Sequence, residues 1–175
     1  MEIALARSEE RFRNLLDNAP FPVVVSLPAT GEVAYMNQRA ADQVGIDRGG
    51  NYRTLDFYAD HTDRDRLLAH LRATGSVEQL EIRLRAATGR VFWAYLSVQQ
   101  IPMDERPAYI TAFLDISERK QAELQLQQSE RRFSRMFHGS PAASLITDFV
   151  QGTVKDVNAA CVALLGKPYD QLIGH

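Results

Sequence analysis

One cysteine in 175 residues, Cys161, rules out an intrachain disulfide and any Cys-rich metal site. It suits a reducing compartment, so a cytoplasmic location is expected. Charge of one sign is also missing: 20 Lys and Arg against 22 Asp and Glu leave a formal net charge of −2, which offers no general attraction to nucleic acid or to an anionic membrane. No apolar run approaches the roughly 18 to 20 residues needed to cross a bilayer, and Met1 to Arg7 lacks a signal-peptide layout. A Gly-rich phosphate loop, a supported Ser-His-Asp set and a His-x-x-x-His spacing are all lacking. Catalysis is therefore not expected from these residues, and an output enzyme would lie beyond His175. What is present is 45% hydrophobic, enough for a real core.

The chain contains a repeat. Ser8-Glu9-Glu10-Arg11-Phe12 recurs as Ser129-Glu130-Arg131-Arg132-Phe133, an offset of 121. Without a gap, the same offset matches Leu5 with Leu126, Pro20 with Pro141, Gly31 with Gly152, Val33 with Val154, Asn37 with Asn158 and Gly45 with Gly166. Two copies of one unit are expected, the second running out barely past its first third. Each copy opens on a helix. Between Glu118 and Phe137 there is neither Gly nor Pro, and Ala122, Leu126, Ser129, Phe133 and Met136 step by 4, 3, 4, 3, a heptad seam suited to a dimeric coiled coil. Leu5, Ser8, Phe12 and Leu15 hold the same register, though packing of that short helix on its own domain is an equal alternative.

Strand patterns follow at Pro22 to Leu27 and Glu32 to Met36, joined by Pro28-Ala29-Thr30-Gly31. Asn37 caps a helix over Gln38 to Val44 that Gly45 ends, and a second helix spans Asp63 to Ala73 before Thr74-Gly75. Three longer strands are predicted at Val77 to Arg85, Arg90 to Ile101 and Ala108 to Ile116, with turns at 87–89 and 102–107. Both faces of Val91 to Val98 are apolar, so each needs a covering layer. The helices of 38–73 supply one. The N-terminal helix or a partner subunit supplies the other.

This order, closing on Asp115-Ile116-Ser117-Glu118-Arg119-Lys120, resembles the PAS family, where Asp-Ile-Thr or Asp-Ile-Ser, commonly followed by Glu-Arg-Lys, ends the last strand and opens a linker helix. Ser8-Glu9 through Asn18-Ala19-Pro20, Val33 to Asn37 and Gly89-Arg90 to Trp93 are similar to other family marks, and the resemblance covers 8–120 and again 129–175. It implies an α+β fold with a five-stranded antiparallel sheet of order 2-1-5-4-3, helices on one face, and flanking N- and C-terminal amphipathic helices. The parts are then a linker helix (1–18), a sensor domain (19–117), a coiled-coil-like linker helix (118–138) and a fragment of a second domain (139–175).

The implied function is sensing and signal relay in a bacterial-type sensor histidine kinase or cyclic-dinucleotide enzyme. Asp115, Ile116, Ser117, Glu118 and Arg119 form the expected coupling element, in which Ser117 caps the helix and Asp115 satisfies the turn, worth about 1 kcal/mol. Val25, Tyr35, Asn37, Leu68, Leu71, Phe92, Leu96 and Phe113 are expected to line a pocket for a small molecule. Leu5, Phe12, Leu15, Ala122, Leu126, Phe133 and Met136 are expected to form a homodimer seam, joined by the outer sheet face. No cofactor is assigned. Haem would need a helix histidine, for which His61 and His70 are the candidates, and FAD in a non-covalent redox mode would be compatible with Trp93, although an aromatic on a strand is more often core or interface. Two alternatives stand beside this reading: a haem- or flavin-bearing gas or redox sensor, and a ligand-free structural spacer.

Overall fold

Period-two alternation gathers one row of each strand onto a common face. The computed structural model describes residues 2–103 and 106–174, with side chains from Glu10 onward, and the chain divides into two compact units, Met1–Lys120 and Gln121–His175. In the first unit, β1 (Val23–Ser26), β2 (Val33–Met36), β3 (Ser76–Arg85), β4 (Val91–Met103) and β5 (Arg106–Asp115) form an antiparallel sheet of order β2-β1-β5-β4-β3. Before β1 comes α1 (Glu2–Asp17); between β2 and β3 lie α2 (Gln38–Val44), a 3-10 turn (Thr54–Phe57) and α3 (His61–Thr74).

Inward-facing Leu84, Phe92, Ala94, Leu96 and Phe113 pack with Ala40, Ala41 and Val44 of α2 and Leu67 and Leu71 of α3 in one buried cluster. The outer face differs along its width. Val23 and Val25 are buried there, but Val91, Trp93 and Leu114 are exposed. Among the described residues, nothing fully covers the second apolar face of β4.

Local chemistry explains the boundaries. α2 matches its predicted span because both ends carry strong signals: Asn37 caps it, and Gly45 takes the left-handed conformation with φ 71°. α3 starts two residues before its predicted start, because Asp60 accepts a hydrogen bond from the Thr62 N–H at 2.9 Å and draws His61 into the helix. The turn expected over 102–107 is largely strand, since Pro102 pairs with Pro107 and Met103 with Arg106. The β4–β5 hairpin overhangs its neighbours there, so proline's missing N–H breaks no ladder.

The second unit takes in most of α4 (Ser117–Gly139), the hairpin of β6 (Leu145–Thr147) and β7 (Val154–Val157), and α5 (Ala159–Leu165). The 121 offset reappears in its hydrogen bonds. Asn37 is fully buried: its Oδ1 accepts from the N–H groups of Val23 and Ala40, both at 3.0 Å, and its Nδ2 donates to the carbonyls of Leu16 and Phe21. Asn158 is buried likewise, accepting from Ser144 and Cys161 and donating to Phe137, Ser140 and Ala142. Each of Asn37's four partners has its counterpart 121 residues on. The strand irregularities at Val25/Ser26 and Ile146/Thr147 correspond too, as do the left-handed Gly31 and Gly152.

Truncating Asn37 strands two buried N–H groups and two carbonyls, each costing about 1–3 kcal/mol if left unpaired. Asn37→Ala is expected to destabilise the first unit by at least ~3 kcal/mol, read from urea unfolding followed by the fluorescence of Trp93, the sole tryptophan.

Candidate functional site

The end of β5 meets the start of α4 in a polar junction. Asp115 Oδ1 accepts from the Ser117 N–H at 2.9 Å, while its Oδ2 accepts from Gln43 Nε2 at 2.9 Å and Arg90 Nη1 at 3.0 Å. One carboxylate thus joins α2, the β3–β4 turn and α4. The Ser117 hydroxyl accepts from the Trp93 N–H at 3.0 Å, and the Ile116 N–H donates to the Trp93 carbonyl at 2.9 Å. Asp115 thus accepts across the turn from the amide two residues on, whereas the Ser117 hydroxyl, expected to cap its own helix, ties that helix to β4 instead. The β4–β5 ladder ends at Ala94 and Asp115, so the Trp93 N–H lies just past it and Ser117 fills the place of a ladder acceptor. Ile116 is buried.

Glu81 of β3 receives Arg119 and, at 2.5 Å, Lys120, whose ammonium also lies 5.3 Å from the Trp93 ring centre. Glu118 is exposed and bonds no described residue, so it takes no part in this junction. Partial burial opposes ionisation of Asp115, but the hydroxyl and N–H of Ser117 and the Arg90 guanidinium outweigh it and hold the carboxyl below its ordinary range.

Between the sheet's inner face and the helices lie two adjoining chambers. The larger, about 60 Å³, is lined mainly by apolar side chains, among them Val24, Met36, Leu84, Leu96 and Phe113. The smaller, about 30 Å³, is lined by Ser26, Gly31, Arg64, Leu68, Leu71 and Tyr109, among others. Thr54, Tyr58 and Thr111 border both. Burial pushes the Tyr58 hydroxyl up to about 12, with Arg64 drawing it down and Asp63 raising it, so the group remains a hydrogen-bond donor at neutral pH. Gly31 has φ 71°, and a Cβ there would lie 2.9 Å from Arg64 Nη2 and 3.2 Å from Thr54 Oγ1. Glycine lets the guanidinium pass over the backbone.

Of the pocket residues expected from sequence, Leu96 and Phe113 line the larger chamber and Leu68 and Leu71 the smaller. Four do not line either. Val25 and Tyr35 pair across β1 and β2 on the outer face, because strand parity turns Val24, not Val25, inward. Tyr35 instead donates to Asp17 at 2.6 Å. Asn37 is consumed by its backbone bonds. Phe92 lies one strand period beyond Ala94 toward the β3–β4 turn, in closed core beneath Arg90.

His61 and His70 are exposed and border neither chamber, so α3 sends Arg64 inward rather than a histidine ligand. Trp93 faces outward. Phe12, Leu15, Leu126, Phe133 and Met136 are exposed, as is Ala122, whereas the side chain of Leu5 lies outside the described residues. Sequence reading missed Gln43, Arg90 and Glu81 at the junction and Thr54, Tyr58 and Arg64 at the chambers. Only Arg64 left a signal, being three and four residues before Leu67 and Leu68 on the inward stripe.

This architecture, with a sheet enclosing small chambers against short helices and a polar strand-to-helix joint, defines a sensory-domain class. The chain belongs to the PAS family: the model described as PAS fold matches residues 10–114, and one described as PAS domain matches 131–175, so a second, partial PAS region follows the first. Sporulation kinase E of Bacillus subtilis is 23% identical over 177 residues, covering the whole chain and 23% of that protein. The two-component sensor PprA of Pseudomonas aeruginosa is 24% identical over 179 residues, covering 92% of the chain and 19% of its own length. The chain thus spans less than a quarter of either relative. A PAS domain from a two-component sensor histidine kinase superposes with a TM-score of 0.55 at 18% identity, over 63% of this chain and 98% of that one. Among the described residues, no helix is long and apolar enough to cross a membrane.

Asp115 ionises more readily folded than unfolded. Its contribution is complete above the unfolded carboxyl value of about 3.9 and is lost as pH falls through the lower folded value. Asp115→Asn keeps an acceptor for Ser117 but loses the Arg90 ion pair. The stability gap between the two proteins, read by urea unfolding, should stay level from pH 7 to about 5 and close progressively below about pH 4.

Proposed function

We propose that this region is the signal-relay and dimerisation module of a longer cytoplasmic sensor kinase, passing occupancy of the inner chambers through the sheet to α4. The observation that carries this is the Asp115 junction. Leu96 and Phe113, which line the larger chamber, face each other across β4 and β5, and the next pair on the same face of the sheet is Ala94 and Asp115. A displaced chamber wall therefore lies one strand period from the carboxylate that holds α2, the β3–β4 turn and the start of α4. The similarity to sporulation kinase E and to the two-component sensor PprA supports a sensor kinase over a cyclic-dinucleotide enzyme.

Two exposed apolar surfaces support association of two copies. Leu126, Phe133 and Met136 step along α4, where no described side chain is buried, and Val91, Trp93 and Leu114 lie open on the outer sheet face. Exposed apolar side chains at heptad spacing cost little once paired in a coiled coil. The residues bordering the chambers give the haem alternative little support, since they include neither histidine nor cysteine to ligate iron.

Amide exchange over residues 117–123 tests the relay. Asp115→Ala should raise it at least tenfold in the first turn of α4, and unchanged exchange would remove the junction from the signal path. Replacing Leu126 and Phe133 with Glu should convert dimer to monomer in light scattering; an unaltered mass would place the interface elsewhere.

A further inference from the structure

We infer that the two chambers together hold a short-chain aliphatic carboxylate, its hydrocarbon tail among Val24, Met36 and Leu96 and its carboxylate on Arg64, Tyr58 and Thr54. This rests on the reading of the chambers as the ligand site of the relay module and adds the chemical class of the ligand.

Arg64 is half-buried and borders the smaller chamber, and no hydrogen bond or ion pair holds it among the described residues. A guanidinium cannot discharge itself by losing a proton, and a partly desolvated charge without a counter-ion is costly. The hydroxyls of Ser26, Thr54, Tyr58 and Thr111 make no side-chain hydrogen bond within the described protein either, and all four residues border the smaller chamber. A convergent set of donors around an unpaired cation calls for an anion with acceptor oxygens, and the planar guanidinium fork fits a carboxylate in two-point fashion.

The larger chamber adds a second demand. Its walls are mainly apolar, and it meets the smaller one along Thr54, Tyr58 and Thr111. One molecule filling both must be apolar at one end and anionic at the other. At about 60 and 30 Å³ the chambers fall far below the roughly 300 Å³ of a drug-sized site, which restricts the tail to a few carbons. Inorganic phosphate would leave the apolar chamber unfilled. A neutral alcohol would leave Arg64 unpaired.

Calorimetric titration of the whole chain with sodium butyrate, n-butanol and sodium phosphate tests the assignment. Butyrate should bind at least tenfold more tightly than either of the others, and Arg64→Gln should weaken butyrate at least tenfold while leaving butanol unchanged. Tyr58→Phe, which removes only a hydroxyl, should weaken butyrate in the same selective way and serves if the arginine variant does not fold. Butanol binding as tightly as butyrate, phosphate binding alone, or no binding of butyrate overturns the carboxylate assignment. Butyrate that binds through Arg64 yet leaves amide exchange in α4 unaltered upholds it and overturns the relay reading instead.

Discussion

The side-chain amide of Asn37 is the interaction on which the rest of the sensor unit depends. β1 and β2 are four residues each, too short to position a helix by their own ladder, and the chain must turn from α1 through β1 and from β2 into α2 within a few residues of one point. Only a group with two acceptor sites and two donors can satisfy both an N–H pair and a carbonyl pair there. Aspartate would set a carboxylate against the Leu16 and Phe21 carbonyls, and glutamine would overshoot the helix start by a methylene. Asn158 makes the corresponding bonds although its sheet has only two strands. The partners of Asn37 lie 3, 14, 16 and 21 residues from it, so the node is local in its construction.

Asp115 does the converse work over long range. Its partners Gln43 and Arg90 lie 72 and 25 residues away in sequence, so it depends on the full sheet having closed. The two nodes divide the fold between them: Asn37 orders the first third of the domain, and Asp115 fastens that third to the last strand and to the helix that leaves it.

The same division explains what could be read from sequence. Local signals were sufficient for α2, whose cap and terminating glycine flank it, whereas β4 is apolar on both faces in sequence and its inward stripe of Phe92, Ala94, Leu96 and Val98 shows only in burial. The run Val23-Val24-Val25 carries no parity of its own, so which valine faces the chamber is decided by the pairing of Val24 with Met36 and Thr111. That pairing is set by the Asn37 node, not by hydrophobicity. Tyr35 looked inward for the same reason and faces Asp17 instead. The coupling tripeptide was legible as a joint, but its partners were not, because Gln43, Arg90 and Glu81 sit in segments whose local patterns already have ordinary helical or strand explanations.

The contrast between core and junction bears on how a signal could leave this domain. Removing a buried Leu such as Leu71 or Leu96 costs on the order of 2–5 kcal/mol, so the inner cluster resists rearrangement. The start of α4 is held differently: Ile116 is its one buried apolar pin, and no described side chain of α4 itself is buried. The remaining restraints are hydrogen bonds to Asp115 and Ser117, about 0.5–1.5 kcal/mol each between neutral groups and about 1.5–3 kcal/mol to the charged carboxylate, and ion pairs to Glu81. A shift of the Leu96–Phe113 pair by a fraction of an ångström leaves the core packed while changing the geometry of several weak bonds at once. A stiff sensor joined to its output helix by a set of small polar restraints yields at the joint first, and that is the mechanical profile the relay reading requires.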